Sequence, residues 1–264
     1  MGDDDLSSVR RYVVKVGTSS LTNESSRLDI GKIASLVSEL MNMKKKDKFP
    51  LLVSSGAIGA GMGKLKITKR PYSMPELQAA AAVGQGTLMQ TYEYLFDNYN
   101  QLIAQVLLTK DDFTNPERYQ NLRNTLNTLL KWDVIPIINE NDTVATEEIG
   151  VGDNDTLAAF VAEGAGAKLL VILTDVDGLY TGPPKKRDSK LVRTVEEVTT
   201  EVENWVSRDS KGFGGMYTKI QAAKKLSEEG ITTVIANARE TEVLRKVFEG
   251  STGTIFKPRR GTYG

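Results

Sequence analysis

The sequence predicts an α/β protein, a three-layer αβα sandwich around a mainly parallel central sheet. Short apolar runs alternate with longer stretches of helical periodicity along all 264 residues. Most runs are followed by enough chain to cross over and return in parallel. Glycine, hydroxyl and carboxylate residues cluster after several of the runs. That is where an open parallel sheet gathers its ligands, at the carboxyl ends of its strands.

The elements follow in order. Residues 12–16 read as a strand, and Ile30, Ile33, Ala34, Val37 and Leu40 then recur at helical spacing. The next apolar run covers 51–53. Residues 76–96 form a helical stretch rich in small side chains, before a strand near 103–108 and a helix over about 118–130. Residues 134–138 are strongly β in composition despite Pro136. Val144, Ile149 and Val151, set between polar residues, predict a small hairpin over 143–151. A helix then begins near Asn154 and leads to a strand at 169–173. The last third continues with a strand near 191–195, a helix over about 218–229 and a strand at 231–235. A helix near 241–248 and a short run at 254–256 finish the pattern. Pro183, Pro184 and the Lys185-Lys186-Arg187 run mark 182–190 as an exposed loop. One domain is expected over residues 1–264, with lobes that divide near residue 165.

Composition narrows the chemistry. Lys+Arg and Asp+Glu are both 34, so no overall charge points to nucleic acid or an acidic membrane as partner. There is no cysteine and no histidine. Thiolate nucleophiles, sulfur- or histidine-ligated zinc and histidine acid–base catalysis are therefore excluded. Catalysis has only lysine, arginine, carboxylates, hydroxyls and backbone amides to use. Phosphoryl transfer fits that palette, because it depends on positioning and on stabilising spread negative charge. The chain opens with Asp3, Asp4 and Asp5, without a basic and apolar leader. No apolar run reaches the roughly 18–20 residues of a membrane span. A cytoplasmic protein is expected.

Five segments offer chemistry. Lys15-Val16-Gly17-Thr18-Ser19-Ser20 follows the first strand. It sets an ammonium and backbone amides where a phosphate can lie, or else a lysine reaching out to solvent. Ser54-Ser55-Gly56-Ala57-Ile58-Gly59-Ala60-Gly61 follows the second strand. It suits either a bound anion at a helix start or a plain tight turn. Asn139-Glu140-Asn141-Asp142 ends an apolar run, and Gly152-Asp153-Asn154-Asp155 opens a helix soon after. Together they offer acceptors for an ammonium and donors for carboxylates, although Asp153 or Asn154 could simply cap the helix. Thr174-Asp175-Val176-Asp177-Gly178-Leu179-Tyr180-Thr181 can cradle a nucleoside or form an Asx/Gly turn. Gly212-Phe213-Gly214-Gly215-Met216-Tyr217-Thr218-Lys219 runs into a helix as a phosphate clamp or a bland flexible loop. No G-x-x-x-x-G-K-[ST], no full G-x-G-x-x-G and no protein-kinase signature is present.

Seven blocks in order carry a resemblance: V-V-K-V-G-T-S, S-S-G-A-I-x-A-G, A-x-V-G-Q, I-N-E-N-D, V-G-D-N-D, L-T-D-x-x-G-L-Y-T and G-G-M-x-T-K. Each alone is unspecific; the ordered set resembles the glutamate 5-kinases of the amino acid kinase superfamily over residues from about 11 to 257. The resemblance implies ATP-dependent phosphorylation of L-glutamate to L-glutamyl 5-phosphate with Mg²⁺, the first step of proline biosynthesis. It implies Lys15 on the transferring phosphoryl group, Lys219 on the leaving ADP, and Asp155 orienting both. Ser55, Asp142 and Asn154 match glutamate-binding positions. Lys15, Thr174, Asp175, Gly214, Gly215, Met216, Tyr217, Thr218 and Lys219 match nucleotide-binding ones. The lobe to about residue 165 would hold glutamate and that from about 166 to 264 the nucleotide. A homo-oligomer, dimer or tetramer, and feedback by L-proline are further implications. The RNA-binding-like PUA module of many members is not expected here. Phe213 stands where a small hydroxyl residue often precedes G-G-M, and Gly182-Pro183-Pro184 is closer to the kinase half of bifunctional pyrroline-carboxylate synthases. The competing readings are an acetylglutamate, carbamate, aspartate or uridylate kinase, or a glutamate sensor without turnover.

Overall fold

A computed structural model of the chain describes residues 6–23, 27–144, 154–184, 186–206 and 215–259. The first strand, β1 (Arg11–Val16), is apolar on both faces, and that makes it central. It pairs in parallel with β2 (Phe49–Ser54) on one side and β5 (Leu169–Thr174) on the other. Val14 and Val16 face one core, Val13 the other, and Lys15 shares the side of Val13 by the period-two alternation. Beyond β2 lie β4 (Ile135–Glu140) and the edge strand β3 (Ile103–Leu108). Beyond β5 lie β7 (Thr232–Asn237), β8 (Thr254–Phe256) and β6 (Thr194–Val195). Every pairing is parallel except β7 with β8. The strand order turns about between β1 and β5, so the carboxyl ends of these two strands flank the crevice of the sheet.

Helices cover both faces, as the sequence predicts for a three-layer sandwich. Against the core of Val14 and Val16 pack α2 (Ile30–Lys44), α4 (Met74–Asp97) and α10 (Val243–Phe248). The opposite core takes α6 (Pro116–Lys131), α7 (Asn154–Gly164) and α9 (Met216–Glu228). The helix α3 (Ala57–Leu65) lies against α4, and the short helices α1 (Thr18–Leu21), α5 (Asp111–Thr114) and α8 (Thr200–Asn204) fill the connections. Among the described residues no helix is long and apolar enough to cross a membrane.

Three local readings change. The run at 134–138 starts one residue later and continues through Asn139 and Glu140, which puts two polar side chains on the strand itself. Pro136 is tolerated because the pairing with β2 begins only at Ile137, so no partner awaits its missing N–H. The strand near 191–195 shrinks to Thr194–Val195, because the backbone before it pairs elsewhere. Thr181 N–H donates to Lys190 O and Val192 N–H to Leu179 O, a local return on the 179–181 turn. Residues 145–151 of the expected hairpin lie outside the described residues.

Candidate active site

Three charged side chains meet at the carboxyl end of β1. Lys15 reaches across the sheet face to α7, where its Nζ lies 2.6 Å from Asp155 Oδ1. Lys219, in the first turn of α9, places its Nζ 2.8 Å from Asp155 Oδ2. Thr218 Oγ1 donates to the same Oδ2 at 2.9 Å. Lys15 and Lys219 are each only 4% exposed and Asp155 is fully buried. Burial pushes the Asp155 carboxyl up, but the two ammonium groups outweigh it and hold it down at about 2. Two buried ammonium groups thus meet at one buried carboxylate beside the crevice, and burying such charges is costly unless they are paired. Asp155 also lies in the first turn of its helix, where the dipole favours its charge.

Beside this cluster runs a chain of amides. Asn154, the first residue of α7, donates from Nδ2 to Ser55 Oγ at 2.7 Å and to Asn139 Oδ1 at 3.1 Å. Asn139 Nδ2 donates in turn to Gln85 Oε1 on α4 at 2.9 Å. Ser55 is set by its own N–H, which donates to Val16 O at 3.1 Å, and by Gly56, whose left-handed φ of 106° a side chain would strain.

The end of β4 is electrostatically different. Glu140 and Asp142 line a cavity of about 300 Å3 with Gln85, Gln105 and Thr143, and no lysine or arginine is among its lining residues. Burial, reinforced by Asp142, pushes the Glu140 carboxyl up to about 8. Burial likewise lifts Asp142 to about 6, with Arg70 pulling it partly back.

A further cavity of about 300 Å3 opens on the far side of the lysine cluster, past the end of β5. Thr174, Asp175, Leu179, Trp205, Met216 and Lys219 are among its lining residues, an apolar wall with polar groups at one end. Of the residues expected on the nucleotide side, Thr174, Asp175, Gly215, Met216 and Lys219 line it. Lys15 and Thr218 instead meet at Asp155, and Tyr217 lines none of the cavities described. Gly214 lies outside the described residues, as do Gly152, Asp153 and Phe213. The expected acceptor residues Ser55 and Asn154 are bonded to each other, while Asp142 stands at the Glu140 cavity. Sequence reasoning marked Asn139 and Glu140 as members of the Asn139-Glu140-Asn141-Asp142 cluster that could grip a polar substrate, and it missed Gln85, although Gln85 lies inside the quoted A-x-V-G-Q block. The only signal for Gln85 was that block.

The fold and the buried lysine pair define a class. Residues 10–237 match the model of the amino acid kinase family, and the chain belongs to that family. Its relatives point to a branch within it. The chain is 49% identical over 254 residues to a glutamate 5-kinase from Caldanaerobacter subterraneus subsp. tengcongensis, covering 95% of this chain and 68% of that protein. It is 47% identical over 259 residues to the glutamate 5-kinase of Clostridium acetobutylicum, covering 96% of this chain and 97% of that one. Among solved structures, the carbamate kinase from Giardia lamblia bound to AMP-PNP matches with a TM-score of 0.66 at 18% identity, over 95% of this chain and 99% of that one. The UMP kinase from Ureaplasma parvum matches with a TM-score of 0.66 at 15% identity, over 94% of this chain and 99% of that one. At such identities these two structures speak for the fold alone.

Proposed function

We propose that the chain transfers the γ-phosphoryl group of ATP to the side-chain carboxylate of L-glutamate, giving L-glutamyl 5-phosphate, the first step of proline biosynthesis. The observation that carries this reading is the Lys15–Asp155–Lys219 cluster, two buried ammonium groups held apart by one carboxylate. The reaction brings an anionic acceptor against a polyanionic triphosphate, and cations on both sides of the transferring group are what make that approach possible. A glutamate carboxylate oxygen attacks the γ-phosphorus as the bond to the β–γ bridging oxygen breaks, and that oxygen leaves with the electron pair on ADP. The acceptor is already ionised, so no proton has to be removed and the missing histidines cost nothing. Lys15 meets the transferring group, Lys219 the leaving diphosphate, and Asp155 fixes their spacing. A glutamate sensor without turnover has no need for such a pair.

On the acceptor side Ser55, Asp142 and Asn154 hold glutamate. Ser55 Oγ accepts from Asn154, which leaves its own proton for a substrate carboxylate, and Asp142 offers charge to the ammonium. On the nucleotide side the apolar cavity by Thr174 and Asp175 takes the base and ribose, and the segment from Gly214 to Lys219 lies along the phosphates. Mg²⁺ comes bound to the triphosphate. Asp155 spends both oxygens on lysines, and among the described residues no three carboxylates gather around a metal position. That donor set suits an ion held mostly by phosphates and water, which neutralises phosphate charge when bound. The acceptor lobe is then β1 to β4 with their helices, and the nucleotide lobe starts with β5.

L-proline shares the ammonium and α-carboxylate of glutamate, so we infer that it competes at the acceptor side. The edge strand β3, with Leu102, Leu107 and Trp132 exposed around it, supports self-association into a dimer or tetramer. Glutamate and ATP are both cytoplasmic metabolites, which favours that compartment. The test is ADP release from Mg·ATP with a panel of acceptors. Release that requires L-glutamate is expected; equal or faster release with N-acetylglutamate, carbamate or UMP would overturn the reading.

A further inference from the structure

The block Val83-Gly84-Gln85 on α4 has no part in the transfer described above, yet it touches the residues that do. Gly84 sits where α4 crosses α3 so closely that any Cβ would overlap the backbone carbonyl of Ala57, the residue after Ser55-Gly56. Gln85 follows it and accepts from Asn139 Nδ2 at 2.9 Å, and Asn139 accepts from Asn154, which donates to Ser55. One short stretch of α4 therefore registers both the Ser55 turn and the Asn154 helix start.

A chain of amides has a direction, because each side chain that receives with its oxygen presents its nitrogen to another neighbour. In the observed direction Asn154 spends its nitrogen on Ser55 and Asn139, so its Oδ1 is left as an acceptor. Ser55, already accepting, keeps its O–H as a donor. Were Gln85 turned so that its nitrogen met Asn139, the whole chain would reverse. Asn154 would then offer an N–H, and Ser55 would give its proton to Asn154. An amino acid presents both an ammonium and a carboxylate, and the observed direction makes Asn154 the acceptor and Ser55 the donor that read them. The reverse direction exchanges those two roles, so the direction decides which end of the amino acid each residue meets.

Gln85 lines the same cavity as Glu140 and Asp142, a lining rich in carboxyl oxygens that suits its N–H end, while its Oε1 accepts from Asn139. We propose that Gln85 is a positioning residue for the acceptor: it sets the direction of the Asn139–Asn154 chain and so makes Ser55 a donor and Asn154 an acceptor toward substrate. This rests on the reading of Ser55 and Asn154 as glutamate contacts.

Two substitutions separate this role from packing. Gln85→Met keeps the shape and loses the acceptor; Gln85→Glu keeps an acceptor for Asn139 and changes the charge. The glutamate KM should rise roughly tenfold in the Met variant, as for loss of a buried hydrogen-bond partner, with kcat within about twofold of wild type. The Glu variant should fall between the two, and calorimetric binding of L-glutamate should give the same order. Thermal unfolding checks that each variant is folded, and Gln85→Ala replaces the Met variant if that one is not. A Met variant within about twofold of the wild-type KM, or a Glu variant weaker than the Met variant, would overturn the proposal, since neither outcome follows from loss of the acceptor for Asn139. A wild-type chain that ignores glutamate would instead overturn the function reading itself.

Discussion

Asp155 and Glu140 are both buried carboxylic acids at the sheet crevice, yet their electrostatics run in opposite directions. Burial raises both. Lys15 and Lys219 then drag Asp155 down to about 2, while Glu140, with only the like charge of Asp142 beside it, rises to about 8. The difference teaches what each region is built for. The first is a buried ionic cluster that stays charged, which on the proposed reading meets phosphates. The second is an acidic pocket that holds protons until a cation replaces them, as the ammonium of an amino acid would.

The sharpest way to break this contrast is to remove the carboxylate that has cations. Asp155→Asn strands two buried ammonium groups and should lower the unfolding free energy by about 3–5 kcal/mol, read from denaturant melts. The triple variant Lys15→Met, Asp155→Asn, Lys219→Met should recover most of that loss while remaining inactive. An Asp155→Asn protein as stable as wild type would mean that the cluster is not the buried ionic unit described.

Taking away one cation at a time tests charge in the reaction. Lys15→Ala and Lys219→Ala should each lower kcat on the order of 10²–10³-fold, with the glutamate KM little changed. Steady-state kinetics that keep kcat near wild type in either variant would contradict the two-lysine mechanism. Asn154→Ala should do the reverse, raising the glutamate KM by roughly tenfold while sparing kcat more, since on the proposed reading it removes a substrate contact. A fall in kcat alone would assign Asn154 to the transferring group instead.

How legible all this was follows the physics of each part. The strands of the sheet core and the long helices were readable because apolar periodicity is a local signal, and β1, β3 and α4 lie where it put them. Lys15, Asp155 and Lys219 were readable as types at strand ends and helix starts, but their meeting at one carboxylate depends on which strand lies beside β1. No local pattern encodes that. Gln85 was hidden for a related reason. A glutamine inside an alanine-rich helix reads as a solvated position, and only the fold, which brings it within reach of Asn139 at the end of β4, turns it into a hydrogen-bond partner.

The smallest effect concerns pH. Glu140 and Asp142 hold protons in the folded chain at pH values where the unfolded chain has released them. Their stabilising contribution is therefore complete at acid pH and is lost as pH rises through about 6 and then about 8. For Asp155 the sign is opposite: its contribution is present above the ordinary value of 3.8 and fades as pH falls toward 2. Glu140→Gln should thus raise the melting temperature relative to wild type at pH 8–9 by a few degrees or less and make little difference near pH 5. Parallel melting curves across that range would remove Glu140 from the comparison.

The most direct test of the whole account is the identity of the product. With Mg·ATP, L-glutamate and hydroxylamine, the wild-type chain should accumulate the hydroxamate of the glutamate side-chain carboxyl, identified by mass and fragmentation, in step with ADP. A hydroxamate at the α-carboxyl, or ADP released with no hydroxamate at all, would contradict phosphorylation at the position that the lysine cluster and the acceptor residues are arranged to serve.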